Sequence, residues 1–200
     1  MLKVASALIA GFVAMGGWAV VTVKDLPEYF VAGQQYTIEF QVRQHGRTLL
    51  SGLRPQLVMN EVTIPAVARS SEGTYAVTFT APAPGQVSLT IRSGFGNTEL
   101  HLYPEIVVAA GASRAAIAPR DRGQKLFVAK GCNTCHSNID LANRPDNQAA
   151  FTVGPELGGR HLAREFVMQK LKNPASQIMP DLGLSDAEAS AIAAFLGGGD

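Results

Sequence analysis

Cys132-Asn133-Thr134-Cys135-His136 sets two thiols three residues apart, with an imidazole directly after the second. The 200-residue chain has no other cysteine, so no disulfide framework can form around this pair. A zinc ribbon needs a second Cys pair and a classical finger needs two closely spaced histidines; neither is present. A thioredoxin-like redox pair and a c-type haem attachment site remain, and the trailing histidine points to the second. The spacing has a chemical reason. Each thiol adds to one vinyl group on the same porphyrin edge, and the adjacent imidazole reaches the iron from that side.

The rest of the chain divides by period. From residue 20 to about 108 the period is two: Tyr36, Ile38, Phe40 and Val42 alternate with Thr37, Glu39, Gln41 and Arg43. Tyr75, Val77 and Phe79 repeat the pattern, as do Val87, Leu89 and Ile91. Turn signals separate these runs, among them His45-Gly46, Ser71-Glu72-Gly73, Pro82-Ala83-Pro84-Gly85 and Gly94-Phe95-Gly96-Asn97. About seven short strands at this spacing predict an all-β sandwich over 20–108. The order of these strands and turns resembles the immunoglobulin-like domains of the YtkA/FixH type, which implies a fold and no activity. A cupredoxin-like copper centre of type 1 or dinuclear kind needs a cysteine, and residues 20–110 hold none. His45, His101 and Met59 could bind copper only if folding gathered them.

Before the sandwich, Lys3 gives a positive start and residues 4–15 are apolar but for Ser6. Gly17-Trp18-Ala19 offers small residues where a signal peptidase reads. Residues 1–19 are therefore expected to be a signal peptide cleaved after Ala19. Apolar character continuing to Val23 leaves an uncleaved membrane anchor as the alternative. Either places the body of the protein in the periplasm or on the outer face of the membrane.

Residues 109–120 are rich in small residues and lack an apolar period, which predicts a flexible linker. Beyond it, over 121–200, the period is helical. A short helix carries Gly123, Leu126, Phe127 and Lys130 into the Cys motif, and Leu162, Phe166, Val167 and Leu171 mark a second. Ser185-Asp186-Ala187-Glu188 is a capping box opening a third, with Ile192, Phe195 and Leu196 on it. The ordered landmarks are Gly123 and Phe127, Gly131-Cys132-x-x-Cys135-His136, Gly154-Pro155-Glu156-Leu157-Gly158, Met179-Pro180, and a final Phe195-Leu196. Together they resemble the class I monohaem cytochromes c across about residues 121–196, so the expected architecture is an all-β sandwich followed by an all-α cytochrome c fold.

The resemblance implies one covalent haem c held by Cys132 and Cys135, with His136 and Met179 as axial ligands. Met168 and His161 are the competing sixth ligands. His136 should donate its other ring nitrogen to a carbonyl, which the resemblance makes that of Pro155. Leu157, Phe127, Phe166 and Phe195 are expected to support the haem pocket. Iron with both axial positions filled by protein has no place for substrate, so the expectation is an electron-transfer protein rather than an enzyme. Its expected partners are a redox donor and acceptor, namely membrane complexes. The alternative is a fixed haem subunit of a respiratory or photosynthetic complex, with the β-domain as docking module. Residues 20–110 hold six basic and seven acidic side chains and residues 120–200 hold nine of each, which excludes a basic nucleic-acid surface. Lys130, Arg144, Arg160, Lys170 and Lys172 could at most form a mild basic rim.

Overall fold

The computed structural model describes residues 17–141, 153–174 and 179–197. The apolar run before Gly17, the segment around residues 143–147 including Arg144, and the last three residues lie outside the described residues.

Residues 19–108 are β-rich. In chain order the strands are β1 (Ala19–Val23), β2 (Phe30–Val31), β3 (Gln35–Gln44), β4 (Thr48–Leu49), β5 (Gln56–Met59) and β6 (Val62–Pro65). They continue as β7 (Val67–Ala68), β8 (Thr74–Thr80), β9 (Gly85–Val87), β10 (Leu89–Arg92), β11 (Glu99–His101) and β12 (Glu105–Val108). The long β3 pairs antiparallel with β1 on one side and β8 on the other. Its sequence alternation is the alternation of burial, with Ile38, Phe40 and Val42 inside. A second sheet runs β11-β10-β5-β6, and a third joins β2, β12 and β9, with β2 and β12 parallel.

The described residues hold twelve strands against about seven expected, and one of the added breaks has a local reason. The alternating run of Val87, Leu89 and Ile91, read as one strand, divides between β9 and β10 at Ser88, whose backbone bonds the β5–β6 turn. Its carbonyl accepts from Asn60 N at 2.9 Å and its N–H donates to Asn60 Oδ1 at 3.2 Å. Phe30, Phe40, Tyr75 and Phe79 fill the space between the sheets, with Phe30 edge-on to Phe79 at 5.5 Å. The Tyr75 hydroxyl is satisfied there, donating to Leu50 O at 2.7 Å. Trp18 and Ala19 belong to this body: His45 N donates to Trp18 O at 3.0 Å, and Ala19 is fully buried. A cut after Ala19 would remove the first residue of β1 and the Trp18 carbonyl that His45 N bonds. Among the described residues no helix is long and apolar enough to cross a membrane.

The C-terminal region is helical: α1 (Pro119–Ala129), α2 (Arg164–Lys172) and α3 (Asp186–Gly197). α1 begins inside the expected linker because Pro119 stands at its first turn, where a fixed φ is already helical and no N–H is lost. α2 begins after Leu162, whose N–H instead bonds Leu196 O at 3.1 Å. The capping box is formed in full: Ser185 N donates to Glu188 Oε2 at 3.0 Å and Glu188 N to Ser185 Oγ at 3.2 Å. α1 and α3 cross at Gly123, and Phe127 meets Phe195 edge-on at 5.6 Å beside the crossing.

The two regions meet through α1. Lys125 Nζ lies 2.7 Å from Glu105 Oε2, and Glu105 is fully buried at the start of β12. Burial pushes the Glu105 carboxyl above its ordinary value of 4.5, with Lys125 and Arg122 opposing. The folded protein therefore holds this proton more tightly than the unfolded chain. The Glu105 contribution to stability is complete below 4.5 and declines as pH rises through the folded value. Glu105→Gln is expected to flatten the pH dependence of the urea midpoint above that pH, relative to the unaltered chain. Parallel curves for the two proteins would show that Glu105 does not titrate in this range.

Candidate haem-binding site

The attachment segment grows directly out of α1. Lys130 caps the helix with its N–H on Leu126 O at 2.8 Å, and Gly131 turns the chain at φ 76°, a left-handed conformation suited to glycine. A 3-10 turn, Cys132–Thr134, follows. Cys135 N and His136 N both donate to Cys132 O, at 3.1 and 2.9 Å. This winding brings Cys132, Cys135 and His136 to the wall of a single cavity.

The segment around Gly154 and Pro155 is laid against the motif by two backbone bonds, Gly154 N to Cys135 O and Leu157 N to Ser137 O, each 2.9 Å. A Cβ at position 154 would stand 2.3 Å from His136 Cε1. Glycine there lets the backbone lie against the imidazole. His136 Nδ1 is then 2.9 Å from Pro155 O. A carbonyl only accepts, so Nδ1 carries the proton and Nε2 keeps its lone pair for a metal. The ring is oriented as well as placed.

Two cavities of about 150 and 200 Å³ adjoin at this point and share Cys132, His136, Pro155 and Met179. Both open to solvent at the Cys motif, and together they form an apolar cleft of the kind that holds small molecules and cofactors. The larger is lined by Phe127, Leu157, Leu162, Phe166, Val167, Leu171, Ile192 and Leu196, with Lys170 the sole charged side chain among its lining. Phe195 is buried behind it against Phe127. Phe166 is half exposed, with Lys170 Nζ 5.6 Å from its ring centre. Met168 lines neither cavity, and neither does His161, which is exposed at a positive φ of 45°.

An apolar slot, an imidazole with its outer nitrogen oriented, a thioether and two thiols fit a haem c. The thiols do not fit a reactive redox pair. Burial first, and the neighbouring Cys135 second, push the Cys132 thiol up to about 12, and burial raises Cys135 too. Disulfide exchange calls for a depressed thiol. Among the described residues no three His, Cys, Asp or Glu side chains gather to hold a metal ion.

Sequence reasoning missed two things. Val20 of β1 lines the smaller cavity beside Cys132, which no local pattern announces. Lys130 does not belong to a basic rim. It is 3% exposed, its Nζ 2.6 Å from Glu188 Oε1, and it donates to Lys24 O as well. Lys172 is paired with Asp186. Glu188 feels desolvation that would raise its pKa, but the Lys130 and Ser185 hydrogen bonds and the Lys130 charge together hold it below the ordinary range.

The helices crossing at Gly123 and the site between them define a cytochrome c domain following a β-rich region. Residues 118–196 match the model of a protein family, cytochrome C oxidase, cbb3-type, subunit III. No curated protein matches the chain. Among solved structures it is similar to domains 4 and 5 of the S-layer protein SbsC, at 22% identity over 44% of this chain and 51% of that one, with a TM-score of 0.34. The chain thus spans about half the length of that structure. The filamin domain of Lin-41 is matched at 16% identity over 45% of this chain and 91% of that one, with a TM-score of 0.32.

Proposed function

We propose that the protein carries single electrons between redox partners on the periplasmic face of the membrane through one covalent, His136/Met179-ligated haem. The observation that carries this reading is the His136 imidazole, fixed by Pro155 O over Gly154, in a cavity that Met179 also lines. Cys132 and Cys135 would form the thioethers, and His136 Nε2 and the Met179 sulfur would hold the iron. A bound haem c supplies reversible one-electron chemistry at iron, and a soft thioether favours the ferrous form. The chain's own part is to fix the imidazole, exclude water with Phe127, Leu157, Leu171 and Ile192, and leave no open position for substrate.

An optical redox titration of the purified protein, with carbon monoxide added to the reduced end point, tests the ligand set. A clearly positive midpoint with no spectral response to carbon monoxide is expected. A low midpoint with ready carbon monoxide binding would remove Met179 from the iron and move ligand sensing or catalysis forward.

The match of residues 118–196 to a cbb3-type oxidase subunit family favours a second reading, a fixed haem subunit of a respiratory complex. In it the β-rich region, which we read as akin to YtkA/FixH-type domains, docks to the complex. Salt-washed membranes separate the two readings: a fixed subunit stays behind and migrates with a large complex, and a diffusible carrier is released.

A further inference from the structure

The β-rich domain is bolted to the haem domain through charged groups that have left water. Arg122, on α1, donates to Pro27 O at 3.2 Å and to Leu26 O. One turn on, Lys125 reaches the buried Glu105. At the end of α1, Lys130 joins three elements at once. Its ammonium pairs with Glu188 on α3 and donates to Lys24 O just after β1, and its carbonyl accepts from Thr22 Oγ1 at 3.3 Å. Lysine and glutamate are rarely buried so fully unless paired. Domains that move against each other meet over solvated polar surfaces, whereas opening this contact would break the buried Lys125–Glu105 pair and every backbone bond that Arg122 and Lys130 make to the β-rich domain. Beside the bolt the backbones touch: a Cβ on Gly131 would stand 2.6 Å from both Val21 O and Val20 Cγ1. Val20 then faces the cavity shared by Cys132, Cys135, His136 and Met179.

We propose that β1 is a built-in wall of the haem site, and that Arg122, Lys125 and Lys130 are positioning residues that hold the β-rich domain there permanently. The two domains then work as one redox unit rather than as a haem module on a tether. The wall rests on the haem reading given above; the permanence of the contact does not. Its chemical consequence is that Val20 keeps water and redox partners away from the side of the site next to Cys132. Low-dielectric surroundings also make the iron sensitive to any charge placed there.

Residues 111–116 are exposed, so a protease site placed among them in the full-length holoprotein can be cut without touching either domain. The cleaved halves are expected to elute together in size exclusion, with the visible spectrum and midpoint potential of the uncut protein. Separation into two species would overturn the proposal. Val20→Asp is expected to shift the midpoint downwards, since a nearby carboxylate favours ferric iron, whereas Val62→Asp on the exposed β6 leaves it in place. Equal midpoints for the two variants would overturn the wall. The cleavage result needs no substitution in the wall, so it decides the matter where Val20→Asp fails to fold. A purified chain without covalent haem would sink the electron-transfer reading and the wall with it, while co-elution would still report the permanent contact.

Discussion

A chain carrying Cys132→Ala and Cys135→Ala is expected to yield little folded helical domain, and His136→Ala to behave similarly. Without its cofactor the domain must leave open two cavities of about 150 and 200 Å³. A domain of about 80 residues has a thin core of its own, and a domain has roughly 5–15 kcal/mol of net stability in all, so losing the apolar contacts of the cofactor removes a large part of it. α2 depends on the cofactor most, since it buries only Val167 and Leu171. The readouts are folded yield and a thermal melt followed at a helix-sensitive wavelength, with a loss of folded yield and a clear drop in the midpoint expected. A double variant that expresses normally and melts like the unaltered protein would mean that the domain packs without its cofactor, contrary to the cavity argument.

The parts of this molecule that were legible in the sequence are those in which a few neighbouring residues decide the outcome. Alternation along β3 sorts Ile38, Phe40 and Val42 inward without reference to the rest of the chain. The Ser185–Glu188 capping box closes on itself within four residues. The winding of Cys132 to His136 is equally local. Contacts made across the chain could not be read in the same way. Lys130 reads as solvated surface because lysine usually is. Only the fold brings it to Glu188, 58 positions later, and to Lys24, 106 positions earlier. Val20 reads as strand or membrane segment by its own composition, and its place beside Cys132 exists only once β1 has docked on Gly131. The sheet change at Ser88 hides for a similar reason. The alternation of Val87, Leu89 and Ile91 runs straight through it, while the backbone partner of Ser88 is Asn60 in the turn between β5 and β6.

Gly123→Ala pits two physical effects against each other, and their magnitudes favour a large loss. Alanine in a helix interior is worth about 1 kcal/mol over glycine, so α1 alone would become more stable. At the crossing, however, the added Cβ would stand 1.9 Å from Ala191 O and 2.5 Å from Ala191 C. These are backbone atoms of α3, which no rotamer change can move aside. The helices must separate by about 1 Å or more, and every contact on both sides of the crossing loosens with them. Phe127 and Phe195 meet at 5.6 Å beside it, and Leu126 and Ile192 are fully buried there. Overpacking of a core costs typically 1–3 kcal/mol and more where backbone must shift, so a net destabilisation of about 3 kcal/mol is expected. In a chain of this size that lowers the melting midpoint by roughly 6–12 °C. The shift also reaches the site, because α1 runs straight into Gly131 and Cys132. Haem incorporation should therefore fall along with stability. A rise in melting temperature, with full incorporation, would mean that helix propensity outweighs the crossing and that α1 and α3 are less tightly engaged than Gly123 and Ala191 indicate.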